Sequence, residues 1–350
     1  MDFSLSQKPQ INLACSTRDR MWLVAACAFL AVLQSSLDDS FLSLRVALAA
    51  LGGTLLTELL FNLRDRRFTL KDGSAAASAL VLALFLPNQI NPLFAFCGGV
   101  FAMAVVKHSF GGLGSNWVNP AASGWLFIRF TWPDAFNRCL ENSHLVRLAA
   151  ALESGLRNSQ GSPLGMLKIN GWQGGDVDTL LDSFLNNTVF SFTGVTLPGG
   201  YLSFFAYPGP GIIADRGLLF LILGTITLAA FRTFRLWLPL LFLCFYSFLV
   251  RIFGALPFGG TLGNGDMLFG IFSGGIIAAA FMLIAEPATG PKSSPGQAIY
   301  IFLAACFAFL FRFPGHEPYG AAAAVLLGNS LVPLIRRGEN KFFYEKRRQP

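Results

Sequence analysis

Charge is scarce in this chain: Asp, Glu, Lys and Arg together make up 13% of 350 residues, against 53% apolar. A soluble domain of that length cannot hide so much apolar surface in one core, so lipid must cover much of it and a water-soluble enzyme fits poorly. Histidine is rarer still, with three scattered residues, His108, His144 and His316. The six cysteines, Cys15, Cys27, Cys97, Cys139, Cys244 and Cys306, contain no Cys-x-x-Cys pair. Neither set has the spacing of a metal site, so no metal is expected. Nor is a cleavable leader expected. Met1 to Arg20 is polar, with Lys8, Arg18 and Arg20, and the apolar run behind it lacks a small-residue cleavage site, so it reads as a retained span.

What is abundant is phenylalanine and glycine, 36 of each. Both suit packed membrane helices, where glycine lets backbones approach and phenylalanine faces lipid or fills gaps. The net charge of +7 comes from basic residues in short runs between apolar segments, not on one face. That pattern fits the positive-inside rule and argues against a nucleic-acid partner.

About ten spans can be traced at bilayer length or somewhat under it. The first five run from Met21 to Leu37, Phe41 to Leu63, Gly73 to Leu86, Pro92 to Val106 and Pro120 to Phe130. The second five run from Gly217 to Phe231, Leu236 to Phe253, Met267 to Ala285, Gln297 to Phe311 and Tyr319 to Ile335. Five regions follow: a tail over 1–20, a membrane unit over 21–130, a polar insertion over 131–215, a second membrane unit over 216–335 and a basic tail over 336–350. The Arg64 to Lys71 cluster, Lys107, Arg232, Arg235, Lys292 and the basic tail fall on one side, so that side and both termini are expected in the cytoplasm. The insertion is then extracytoplasmic.

Several spans are too short to cross upright, above all Gly73 to Leu86 and Pro120 to Phe130. Backbone that leaves the helical ladder at membrane depth survives only inside protein or beside a cavity, so function is expected around these segments. Asp72, in Lys71-Asp72-Gly73-Ser74, can cap the first of them. The second follows Gly111-Gly112-Leu113-Gly114-Ser115-Asn116-Trp117-Val118-Asn119-Pro120. Two asparagines beside a half-length helix are costly in lipid unless they line a cavity, which selects Asn116 and Asn119. Glu286, in Ala285-Glu286-Pro287, is either an interfacial residue or a path-lining carboxylate. Thr193, Gly194 and Thr196, in Phe192-Thr193-Gly194-Val195-Thr196-Leu197-Pro198, form a hydroxyl-bearing turn in the insertion.

Taken together, Thr69 to Ala75, Lys107 to Ala121, Phe272 to Gly290 and the final Gly328-Asn329-Ser330 helix resemble the family of the Rnf complex D subunit (RnfD) and its relative, the B subunit of the sodium-pumping NADH:quinone oxidoreductase (NqrB). The likeness spans nearly the whole chain. It implies an all-α polytopic membrane protein of the cell inner membrane, with two inverted five-helix repeats containing short or broken helices. It implies a translocase subunit of a redox-driven ion pump that carries electrons through flavin. The expected partners are other Rnf-type subunits, among them a second FMN-carrying subunit, and a flavin transferase for maturation.

The family carries a covalent FMN on a threonine in a pattern like Asp-Gly-x-Ser-Gly-Ala-Thr, and the resemblance maps that threonine to Thr196, with Thr193 and Gly194 before it. Phe190, Ser191 and Val195 depart from the pattern. A second, non-covalent flavin such as riboflavin is implied within the bundle, with Asp72, Asn116, Asn119 and Glu286 as candidates to line the flavin or ion path. The competing reading is a flavin-free solute transporter or channel on the same broken-helix fold, in which Asp72 and Glu286 bind substrate or ion.

Overall fold

The structure is a computed structural model. It describes residues 16–140 apart from 38, 66–68 and 113; residues 180, 183–189, 191 and 204–205; and residues 211–348 apart from 259–260 and 316. Among these the chain is helical and without strands, its one isolated bridge joining Pro87 to Ile212. Thr193, Gly194 and Thr196 lie outside the described residues.

Helices α1 (Thr17–Leu37) and α2 (Leu42–Asp65) form an apolar pair that flanks α3 (Ser74–Leu84). Helix α3 is Ala- and Leu-rich, and all its residues but Ser78 are buried. Its 11 residues rise about 16 Å, roughly half the hydrocarbon core. Gly73 precedes it at φ +74, a left-handed turn that glycine adopts without steric cost and that ends the short 3₁₀ segment Leu70–Asp72.

Asn91 caps α4 (Pro92–Phe101), which widens into a π-helical turn over Ala102–His108. Helices α2 and α4 meet through glycine: a side chain at Gly99 would stand 2.7 Å from the Ala50 carbonyl. Such small-residue seams let backbones close up where no hydrophobic force separates helix from lipid. Asn119 caps α5 (Pro120–Thr131) by accepting from the Ala122 amide, with Pro120 in the first turn. A short α6 (Pro133–Leu140) follows.

The second half begins with α7 (Ile213–Arg216), α8 (Leu218–Ala230) and α9 (Trp237–Phe253). The stretch expected as one span from Met267 to Ala285 is broken. Helix α10 (Met267–Phe272) stops at Ser273, and α11 (Ile276–Ala278) restarts after Gly274 and Gly275, both left-handed, and runs on as a π turn over Ala279–Ile284. Helix α12 (Ser294–Arg312) is capped by Ser293. Helix α13 (Ala321–Arg348) carries the last span straight into the basic tail as one helix of 28 residues, with Pro333 inside it. Helices α1, α2 and α12 are long and apolar enough to cross a membrane.

Helices α1 and α8 run antiparallel. The Phe220 amide donates to Gln34 Oε1 at 2.8 Å, while Gly224 and Thr227 lie against Cys27. Trp22, near the start of α1, donates to the Lys71 carbonyl, and Ser35, near its end, accepts from Arg216. At 1.5 Å per residue those levels are about 20 Å apart, so the starts of α3 and α7 lie at opposite ends of the bundle.

Candidate functional site

Three polar constellations are built into the apolar bundle. The first surrounds Glu58, the lone carboxylate in the interior of α2, which is 0% exposed. Lys107 Nζ, from the π turn after α4, reaches Glu58 Oε2 at 2.9 Å and donates to Ser74 Oγ at 2.7 Å. Ser74 passes the chain on, its hydroxyl and amide both donating to Asp72 Oδ1 at 2.6 and 2.8 Å. Thr69 Oγ1 donates to Glu58 Oε1, and His108 Nε2 lies 2.9 Å from Oε2 with its ring stacked on Phe61. The widened turn brings successive residues, Lys107 and His108, onto the same carboxylate, a use typical of π-bulges. A buried charge of this kind is held only by full pairing.

Lys107 was expected in a basic loop, yet it is 2% exposed. Asp72 does not cap α3 directly, since Gly73 occupies the cap position without a side-chain bond. It accepts instead from Ser74, two residues on, and closes the Glu58 network.

The second constellation joins α5 to the end of the broken helix. Asn119, while capping α5 through Oδ1, donates from Nδ2 to Glu286 Oε2. Glu286 follows the π turn Ala279–Ile284 in the loop before α12. Burial pushes its carboxyl up to about 7, the Asn119 hydrogen bond pulling the other way. Two cavities meet at this pair. The larger, of about 650 Å³, is lined by Arg20, Arg232, Arg235, Lys292, Gln297 and Tyr300 among others. The smaller, of about 160 Å³, runs along Ala77, Ser78 and Val81 of α3 past Asn119 to Phe281 and Met282. Asn116 is buried nearby in sequence, and its Oδ1 has no hydrogen-bond partner among the described residues. So the structure brings together Asn119 and Glu286, while Asp72 belongs to the Glu58 network.

The third constellation sits at the opposite end. Arg312, the last residue of α12, donates to Tyr246 Oη on α9, to the Gly270 carbonyl at 2.8 Å, to Ser273 Oγ at 2.9 Å and to the Pro318 carbonyl at 2.9 Å. The amides of Gly274 and Gly275 donate to the two oxygens of Asp215 at 2.9 and 2.8 Å. The parallel with the first constellation is direct. In each half a cation at the end of a long helix (Lys107, Arg312) bonds a polar side chain on a preceding helix (Glu58, Tyr246) and a serine beside a glycine-led helix start (Ser74, Ser273).

Glu58, Tyr246, Asp215 and Arg312 escaped the sequence reading. Glu58 had a legible signal, a carboxylate inside an apolar run of bilayer length. Arg312 resembled an ordinary flanking cation at a helix end.

Comparison with known proteins extends this geometry. A family model described as the NQR2, RnfD, RnfE family matches residues 4–344. The chain is 27% identical over 336 residues to the D subunit of the proton-translocating ferredoxin:NAD(+) oxidoreductase complex of Clostridium ljungdahlii, covering 95% of this chain and 93% of that protein. It is 29% identical over 353 residues to the D subunit of the ion-translocating oxidoreductase complex of Vibrio cholerae, covering 96% and 97%. It is 26% identical over 346 residues to the D subunit of the Na(+)-translocating ferredoxin:NAD(+) oxidoreductase complex of Acetobacterium woodii, covering 98% and 96%.

Proposed function

The chain belongs to the NQR2, RnfD, RnfE family, and from that membership we propose that it is the D-type membrane component of an Rnf-type, redox-driven ion pump. The observation that carries this reading is the match to ion-translocating relatives over more than nine-tenths of both chains. It works within a complex in the inner membrane, beside other Rnf-type subunits that include a second FMN carrier, with the basic end of the bundle and both termini in the cytoplasm. The antiparallel α1 and α8, the glycine-led starts at Gly73 and Gly275 and the paired constellations of Lys107 and Arg312 support two inverted five-helix units, 21–130 and 216–335, in a bundle of about ten spans. The insertion 131–215 then faces outward.

Its cofactors are an FMN esterified to Thr196 by a flavin transferase, with Thr193 and Gly194 in the recognised turn, and a second, non-covalent flavin, riboflavin, in the bundle. When bound, the flavins supply the electron relay. The residues around Asn119 and Glu286 fit the second one. The adjoining cavities offer room, Gln297 and Arg20 add polar groups, and Arg20 Nε is buried without a partner among the described residues. Asn119 and Glu286 would hold a flavin there through hydrogen bonds, and Phe281 and Met282 would keep water from it.

In-gel ultraviolet fluorescence of the denatured protein, made together with its flavin transferase, tests the covalent site. A fluorescent wild-type band that disappears in Thr196→Ala at equal protein level is expected. A dark wild-type band would sink the covalent flavin and favour the transporter reading.

A further inference from the structure

We propose that the larger cavity at the basic end is a phosphate-binding vestibule, in which Arg20, Arg232, Arg235 and Lys292 hold the phosphate of a ligand whose body extends inward toward Gln297 and Tyr300. Four cations from three separate parts of the chain line one space of about 650 Å³: the start of α1, the turn between α8 and α9, and the loop before α12. Glu286 is the sole carboxylate among the lining residues, and it is held by Asn119. None of the four cations forms an ion pair among the described residues. Four like charges set against a single carboxylate repel, and a phosphate relieves that repulsion while accepting several charge-assisted hydrogen bonds.

Ordinary interfacial cations explain part of this surplus, but such side chains normally extend to water. Arg20 does not: its Nε is buried and has no hydrogen-bond partner among the described residues. Leaving such a donor unmet is costly, and a ligand oxygen recovers that cost. Arg232 adds a second anomaly. It sits at φ +50 just past the end of α8, a position that glycine usually fills. The first turns of α9 and α12 also reach the cavity, through Leu238 and Gln297, and their amide ends favour an anion.

The same phosphate chemistry is carried by a soluble phosphomonoester and by an anionic lipid headgroup, and the test separates them. The full chain, free of flavin, is placed in phosphatidylcholine nanodiscs and titrated with FMN and with riboflavin, which differ by the phosphate alone, and with ADP and adenosine as a second such pair. Retained phosphatidylglycerol is measured by native mass spectrometry. Arg232→Gln/Arg235→Gln and, separately, Lys292→Gln are compared, their exposed positions keeping the fold intact. For a soluble ligand, the phosphorylated member of at least one pair binds about tenfold or more tighter, and the variants and added salt erase the gap. For a lipid ligand, the gap is absent, but phosphatidylglycerol is retained by the wild type and lost from the variants. If neither phosphate dependence appears, the proposal falls. Equal binding of FMN and riboflavin, with no retained lipid and no gap between ADP and adenosine, overturns the vestibule while leaving a flavin site in place. Tight ADP or lipid binding without either flavin does the reverse.

Discussion

Lys107 Nζ lies 2.9 Å from Glu58 Oε2, with both side chains shut away from solvent. Forty-nine residues separate the two in sequence. Their contact ties α2 to the π turn after α4, and through Ser74 it ties both to the start of α3. The half-length helix that passes the Asn119–Glu286 pair is therefore anchored by a charge pair rather than by its own length.

Removing one partner of that pair leaves the other charge buried alone. Lys107→Met is expected to cost about 3–5 kcal/mol, read as a fall in the melting temperature of the protein in nanodiscs. Glu58→Gln keeps an acceptor for Thr69 and should cost less. The double variant is expected to be more stable than the sum of the single losses by about 0.5–3 kcal/mol. Simple additivity would mean that the pair is not coupled.

At the opposite end, no carboxylate among the described residues bonds directly to the guanidinium of the equivalent cation. Arg312 spreads its donors over Tyr246, Ser273 and the carbonyls of Gly270 and Pro318. Loss of the one Tyr246 acceptor in Tyr246→Phe leaves the other bonds and should cost about 1–2 kcal/mol. Arg312→Lys cannot reproduce the planar fork and is expected to cost more, because several carbonyl and hydroxyl acceptors are abandoned at once. Urea or thermal unfolding of the two variants in the same lipid would rank them, and a smaller loss for Arg312→Lys would refute the multidentate role.

Local signals were legible in the sequence and pairings across the bundle were not. Gly73 and Asn119-Pro120 announce helix starts because a left-handed glycine and a capped proline act within a few residues. Ser273-Gly274-Gly275 lay inside an expected span, and its effect, a complete break, needed Asp215 to bind the two freed amides. Asn119 and Glu286 were singled out separately, each for the cost of a polar group in lipid. That they touch is decided by how α5 packs beside the broken helix, since they stand 167 positions apart in sequence. Lys107 was misplaced because a charge tally cannot distinguish a cation at the interface from one folded back onto a buried carboxylate.

Of the two glycines of the break, Gly275 gives a sharper test than most core positions. Gly275 is at φ +71, and a side chain there would come within 2.9 Å of Ile212 Cδ1 and 3.2 Å of Phe85. Gly275→Ala therefore meets both the left-handed penalty of about 1–2 kcal/mol and a tight wall. Gly263, at φ +85, has nothing within 4 Å of such an added atom. Gly263→Ala should carry the backbone penalty alone. Thermal unfolding is expected to place Gly275→Ala well below Gly263→Ala, and equal losses would mean that the break is not tightly packed.

Glu286 links this packing to pH. In the unfolded chain its proton leaves near the ordinary glutamate value of 4.5, whereas in the folded protein burial holds it to about 7. Between those values the folded state binds more protons than the unfolded one, so stability falls as pH rises through the window. The contribution is fully present below the unfolded value and is lost on passing the folded one. Arg20, Arg232, Arg235 and Lys292 line the larger cavity with Glu286, and the Asn119 amide opposes the upward push. Asn119→Leu should therefore move the folded titration higher and steepen the decline, although it also removes the α5 cap and lowers stability by about 0.5–2 kcal/mol at every pH. Glu286→Gln cannot titrate and should flatten this part of the profile. Melting temperatures of the three proteins between pH 4.5 and 8 supply the comparison. If the wild type and Glu286→Gln fall in parallel, the Glu286 carboxyl is not the group that titrates.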